Sequence, residues 1–158
     1  MAFQIGYRRL LSLGLSLSSV WIPLSVRGNP TAPLVRMQAE SLNQQGAAKV
    51  LRLDLEGALP DFNQALALDP TYADAYVNRS MLHNRLQNPE AALADAAQAL
   101  ELAPDMAEAY TSRGVAHLAL GDPDAAEADW EKAAELFQQQ KRVADLLVVK
   151  SLLQQLQP

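Results

Sequence analysis

Two consecutive stretches decide the fold: ADAYVNRSMLHNRLQNPEAALADAAQALELAPDM, residues 73–106, and AEAYTSRGVAHLALGDPDAAEADWEKAAELFQQQ, residues 107–140. Laid on each other at a shift of 34 they share 14 identities, among them Ala75-Tyr76 on Ala109-Tyr110, Arg79 on Arg113, His83 on His117 and Pro89 on Pro123. Working outward, residues 39–72 lie on 73–106 at the same shift with 10 identities, including Ala58 on Ala92, Asp61 on Asp95 and Ala65-Leu66 on Ala99-Leu100. A gapless period of this length over three copies marks a repeat architecture rather than one irregular domain.

Each copy reads as two helices. Gly121-Asp122-Pro123 supplies a glycine past one helix end, an Asp N-cap and a Pro at the first position of the next helix, and Asn88-Pro89-Glu90 does the same one repeat earlier. Thr71-Tyr72-Ala73-Asp74 and Asp105-Met106-Ala107-Glu108 read as capping boxes opening first helices. Pro60 falls about one turn into a second helix, where proline is tolerated. The alanine columns 58/92/126 and 65/99/133 let helices approach closely, while Phe62, Leu66, Leu100 and Trp130 fill the remaining space. One helical pair cannot bury its apolar face alone, and three stacked pairs approach the minimum for a stable array.

With the period, Tyr76 and Tyr110, Gly46 and Gly114, the alanine columns, and Pro70 and Pro104 near the unit ends, residues 39–140 resemble the tetratricopeptide repeat (TPR) family. Two departures stand out: Leu42 occupies a position where an aromatic is usual, and Ser80 replaces the glycine. The resemblance implies an all-α, right-handed solenoid of three helix-turn-helix repeats (39–72, 73–106, 107–140), with residues 141–158 as a C-terminal capping helix. It also implies a concave groove, lined by the first helix of each repeat, that binds a peptide or protein.

Little in the chain suggests catalysis. No nucleophile–base pair, glycine-rich phosphate loop, GxSxG or HExxH occurs, so no enzyme activity and no cofactor is expected. His83 and His117 occupy equivalent positions on first helices, but packed helices lie roughly 8–10 Å apart, so a packing role is expected and no metal. Glu90, Asp95, Glu101, Asp122, Asp124 and Asp129 read as solvated faces and helix starts.

By the resemblance, the groove residues are Glu40, Asn43, Ala47 and Val50 in the first repeat. Asp74, Val77, Asn78, Met81 and Arg85 follow in the second, and Glu108, Thr111, Ser112 and Val115 in the third. Some members of the family grip an acidic chaperone tail with a basic clamp. Its positions correspond to Asn43, Ala47, Asn78, Glu108 and Ser112 here, and only Asn78 fits, so that ligand class is rejected. The carboxylates Glu40, Asp74 and Glu108 recur every 34 residues beside Val77, Met81 and Val115, which suits a segment with basic and apolar side chains. The bland account is that these acids serve only the helix starts.

The last segment, KRVADLLVVKSLLQQLQ (141–157), is apolar around more than half of its circumference. Leu147, Val148 and Leu152 therefore read as a second interface, for a partner or for a homodimer, and simple over-capping is the competing account. Self-association through this helix is the alternative function.

The N-terminal 39 residues carry four Arg and no acid, whereas residues 40–158 carry 9 basic and 18 acidic side chains. Arg8-Arg9, an uncharged Leu/Ser-rich stretch from Leu10 to Val26, then Arg27-Gly28, follow the order of a secretory signal over residues 1–28, cut before Asn29. An uncleaved anchor over residues 10–26 is the alternative, although about 20 apolar residues are needed to span a bilayer. Residues 29–38 read as a linker or the start of the first helix. A periplasmic or secreted protein, or one anchored by that stretch, is expected. The absence of Cys excludes a lipidated leader, a thiol nucleophile and disulfides. The net charge of −5 speaks against nucleic acid as a partner.

Overall fold

The computed structural model describes residues 32–156. Among them lie seven helices and no strand: α1 (Ala32–Leu51), α2 (Leu55–Leu68), α3 (Ala73–Arg85), α4 (Pro89–Leu102), α5 (Ala107–Ala119), α6 (Pro123–Gln139) and α7 (Val143–Leu156). The secretory or anchoring segment expected over residues 1–28 lies outside the described residues. The stretch read as a linker or helix start is helical from Ala32 onward.

Successive helices pack on one another from α2 to α7, and α3 also packs on α5. This arrangement places the first helices side by side. The two alanine columns explain the close approach: Ala58, Ala92, Ala126, Ala65, Ala99 and Ala133 are all fully buried. Phe62, Leu82, Trp130 and Val149 are the largest apolar side chains with almost no exposure. Each removes enough surface from water to contribute roughly 1.5–3 kcal/mol.

Within each repeat the helix pair is fitted by a size exchange sixteen residues apart. Gly46 faces Phe62 and Gly114 faces Trp130, so closely that a Cβ on either glycine would collide with the ring. In the middle repeat Ser80 stands in the glycine position, and Ala96 stands where the others carry an aromatic. The Ser80 hydroxyl donates to the Ala92 carbonyl at 2.7 Å. Its single proton is thereby used, so Ser112 is the donor in the 2.6 Å contact between the two hydroxyls. The departure from glycine thus ties α3 to α4 and to α5.

A second column is ionic. Arg79 holds Asp95 through two bonds of 2.7 Å, and Arg113 holds Asp129 at 2.8 and 2.6 Å. In the first repeat Gln45 replaces the arginine, and Lys49, one turn later, reaches Asp61 at 2.6 Å. Asp61, Asp95 and Asp129 are buried. Asp95 and Asp129 are therefore not on a solvated face. Their charge is compensated between the two helices of a unit, a contact that composition and helix position do not reveal.

The turn between the helices of a repeat has one geometry in all three copies. Leu53, Gln87 and Gly121 have φ of 64°, 57° and 84°. Asp54, Asn88 and Asp122 then cap the following helix by accepting from Gly57, Ala91 and Ala125 backbone N–H groups. The expected capping boxes at the repeat starts do not form. Tyr72 and Met106 are the N-cap residues and make no side-chain cap bond. Thr71 donates instead to Asp69 Oδ1 at 2.6 Å, which folds the inter-repeat turn on itself.

Candidate functional site

The first helices α1, α3 and α5 carry three concavities between them and α7. One, of about 200 Å³ between α1 and α3, is lined by Ala47, Val50, Leu51, Phe62, Asn78, Met81, Leu82 and Arg85. Another, of about 190 Å³ between α3 and α5, is lined by Met81, Asn84, Arg85, Thr111, Ser112 and Val115. The third, of about 140 Å³, lies between α5 and α7 and is lined by Met81, Glu108, Thr111, Phe137, Asp145, Val148 and Val149. Met81 borders all three and is 42% exposed. It is an unbranched, polarisable side chain at the centre of a surface that is mostly apolar, a residue type that adapts to differently shaped partners.

The wall beneath the groove is held by amide and hydroxyl groups. Asn43 Nδ2 donates to the Tyr72 hydroxyl at 3.2 Å, and Asn78 Nδ2 donates to Asn43 Oδ1 at 2.9 Å, which links the first repeat to the second. Asn84 Nδ2 donates to Ser112 Oγ and to its carbonyl at 3.0 and 2.9 Å, which links the second to the third. These side chains set the spacing of the first helices and hence the width of the groove.

Not every residue expected in the groove is there. Val77 is 3% exposed and packs with Ala99, Leu100 and Ala109, so it is a core residue. Asn43 and Ser112 are buried and already hydrogen-bonded, and present little to a ligand. Leu152 packs half-buried against the cluster of Trp130, Leu136 and Phe137, so it is not part of an outer face. Val148, read as part of a second interface, instead lines the concavity between α5 and α7. Leu147 is exposed. Ala47, Val50, Asn78, Met81, Arg85, Glu108, Thr111 and Val115 do line the groove, and Ser112 borders it while remaining buried.

The acidic ladder also differs from three free carboxylates. Glu40 accepts from Arg36 at 3.0 Å, and Arg36 bonds Asp69 as well. Glu108 is paired with Arg142, which also holds Asp145 at 2.9 Å. Asp74 alone of the three is exposed and in none of the ion pairs among the described residues. Both arginines sit at part-exposed sites, and their pKa values are raised mainly by hydrogen bonds to these carboxylates.

Phe62, Leu82, Phe137, Asp145 and Val149 also line the groove without having been expected there. A signal for the α7 residues existed. At one more shift of 34, Arg142 falls on Glu108, Asp145 on Thr111 and Val149 on Val115. α7 thus stands where the first helix of a further repeat would stand, and packs on α6 as α5 packs on α4. His83 and His117 lie 3.9 Å from Asp95 and Asp129, behind the groove. Burial lowers the His83 pKa, Arg79 adds to this and Asp95 opposes it. Among the described residues, no three side chains of metal-ligating type come together.

Comparison with known families gives a match to the tetratricopeptide repeat over residues 43–98 and 83–141. The chain belongs to the TPR family. Among solved structures it is similar to the second TPR of Spaghetti (RPAP3) bound to the HSP90 peptide SRMEEVD. The identity is 28% and the TM-score 0.64, with 66% of this chain and 97% of that one covered. It is similar also to the second TPR domain of human RPAP3 in complex with the HSP70 peptide SGPTIEEVD, at 28% identity and TM-score 0.62, with 73% and 98% covered. The TPR2B domain of yeast Sti1, in a pHsp70 complex, matches at TM-score 0.71 and 21% identity, covering 76% of this chain and 96% of that one, which shows the shared fold. Among curated proteins none matches.

Proposed function

We propose that this TPR chain is a non-catalytic adaptor that holds a peptide or protein segment in the groove of its first helices. The observation that carries this is the position of Met81, exposed at the junction of three apolar concavities on one continuous face. The peptide-bound RPAP3 domains support the class of ligand, a short segment. They do not support the same ligand chemistry: the corresponding clamp positions here hold Asn43, Ala47, Asn78, Glu108 and Ser112, with no basic side chain to meet an acidic tail. Affinity would come from apolar contact, with the groove's few charges selecting among segments. The leader-like order of residues 1–28 supports a place outside the cytoplasm, in the cell envelope.

The experiment is a crosslinked pull-down from the envelope fraction with the wild-type chain and with Met81→Glu. A partner retained by the wild type and lost by the variant is expected. Recovery of the same partners by both would overturn the assignment of the groove.

A second reading has one observation behind it. Val143, Leu147 and Val148 are 63%, 61% and 59% exposed on α7. Self-association through this helix would bury Val143 and Leu147. Light scattering on wild type and Leu147→Ser decides it: a monomer in both rejects it, and a dimer lost on substitution supports it.

A further inference from the structure

Asp74, Asn78, Met81 and Arg85 follow one another at spacings of four, three and four residues along α3. At about 100° per residue, all four fall within a stripe roughly 60° wide, a straight line along one helix face. Asp74 and Arg85 stand at its two ends, both exposed. With a rise of 1.5 Å per residue they are about 16 Å apart, too far to neutralise each other. Neither takes part in the ion pairs found among the described residues. The neighbouring first helices differ at both ends. Their acids are held by Arg36 and Arg142, and Leu51 and Ala119 occupy the position of Arg85. Among the described residues, only the middle of the three first helices therefore offers an anion and a cation outside every ion pair, with Met81 between them.

We propose that α3 reads a bipolar extended segment: a basic side chain at Asp74, an apolar one over Met81, and an acidic one at Arg85. This deepens the peptide-holding function and rests on it. Separate concavities of 140–200 Å³ on either side of Met81 suit single side chains splayed to alternate sides, as an extended backbone presents them. At about 3.3 Å per residue, the 16 Å between the charges corresponds to a separation of about five residues in the ligand, with the apolar residue about three from the basic one. The charges select; the apolar contact holds. A segment with acids at both ends would meet Asp74 unpaired, and one with bases at both ends would meet Arg85 likewise.

The test is selection of phage-displayed random nonapeptides on the full chain, with counter-selection on Met81→Glu. Enriched peptides should carry one base and one acid about five positions apart around an apolar residue. On Arg85→Glu, whose folding is checked by circular dichroism, such a peptide should bind about two- to fivefold more weakly, as expected for one exposed charge pair. A peptide with a base in place of its acid should regain that loss. Met81-dependent peptides without the charge pattern, or indifferent to Arg85→Glu, would sink the bipolar proposal and leave the groove function standing. If no Met81-dependent peptide emerges, the groove function fails, and this proposal with it.

Discussion

A Cβ on Gly114 would lie 2.5 Å from Nε1 of Trp130, which itself donates to the Thr111 carbonyl at 3.2 Å. The ring occupies the space that any side chain at position 114 would need. Gly114→Ala is expected to destabilise the fold by about 1–3 kcal/mol through overpacking. In a Trp130→Leu background that cost should shrink by at least half, because the smaller side chain vacates the space, as Ala96 does opposite Ser80. A double-mutant cycle by urea unfolding measures the coupling; equal costs in both backgrounds would refute it.

The turn residues make a prediction of the opposite sign. Leu53 and Gln87 adopt the left-handed backbone that Gly121 adopts freely. For an L-residue this conformation costs roughly 1–2 kcal/mol, part of which is offset because glycine loses more entropy on folding. Gln87→Gly is expected to stabilise by about 0.5–1 kcal/mol, and Gly121→Ala to destabilise by about 1 kcal/mol. Thermal melts of the two variants should move in opposite directions.

Asp129 is buried against the Arg113 fork. Arg113→Ala leaves that carboxylate without its partner and should cost about 2–3 kcal/mol, less than for a fully buried pair because Arg113 is partly exposed. Arg113→Lys should recover less than half, since an ammonium cannot supply the parallel pair of bonds. Denaturant midpoints for the three proteins test this.

His83 contributes a pH dependence. Its folded pKa lies below the ordinary 6.5, chiefly because burial disfavours the charged ring. The unfolded chain therefore takes up the proton first as pH falls. Its contribution is fully present above about pH 6.5 and is lost as pH falls through the lower folded value. His83→Gln should flatten the decline in melting temperature between pH 7 and 5; an unchanged slope would show that His83 is not its source.

Val77 and Met81 lie one turn apart on α3 and should respond differently to the same change. Val77→Glu buries an unpaired charge among Ala99, Leu100 and Ala109 and is expected to unfold the middle of the array. Met81→Glu places the charge on the open groove and should leave stability within about 0.5 kcal/mol while abolishing partner capture. Circular dichroism with the pull-down separates the two effects.

By itself, the sequence determined the helices, their number per repeat and their order. It could do so because the 34-residue period, the alanine columns and turns such as Asp122-Pro123 are local or periodic signals carried by the chain itself. It marked out the groove's helices too, and most of the residues that line it. Tertiary structure alone decided which of those residues are available. Val77 and Met81 look alike in a list of apolar positions, but a four-residue turn of helix puts one under α4 and the other in the open. Glu40, Asp74 and Glu108 look alike as a ladder, but Arg36, one turn before Glu40 on α1, and Arg142, reaching across from α7, engage the outer two and leave the middle one exposed. The burial of Val77 and the pairing of Glu108 with Arg142 depend on what arrives from distant parts of the chain, and neither is written in the local spacing of the residues; the Arg36–Glu40 pair, four residues apart, is the local exception.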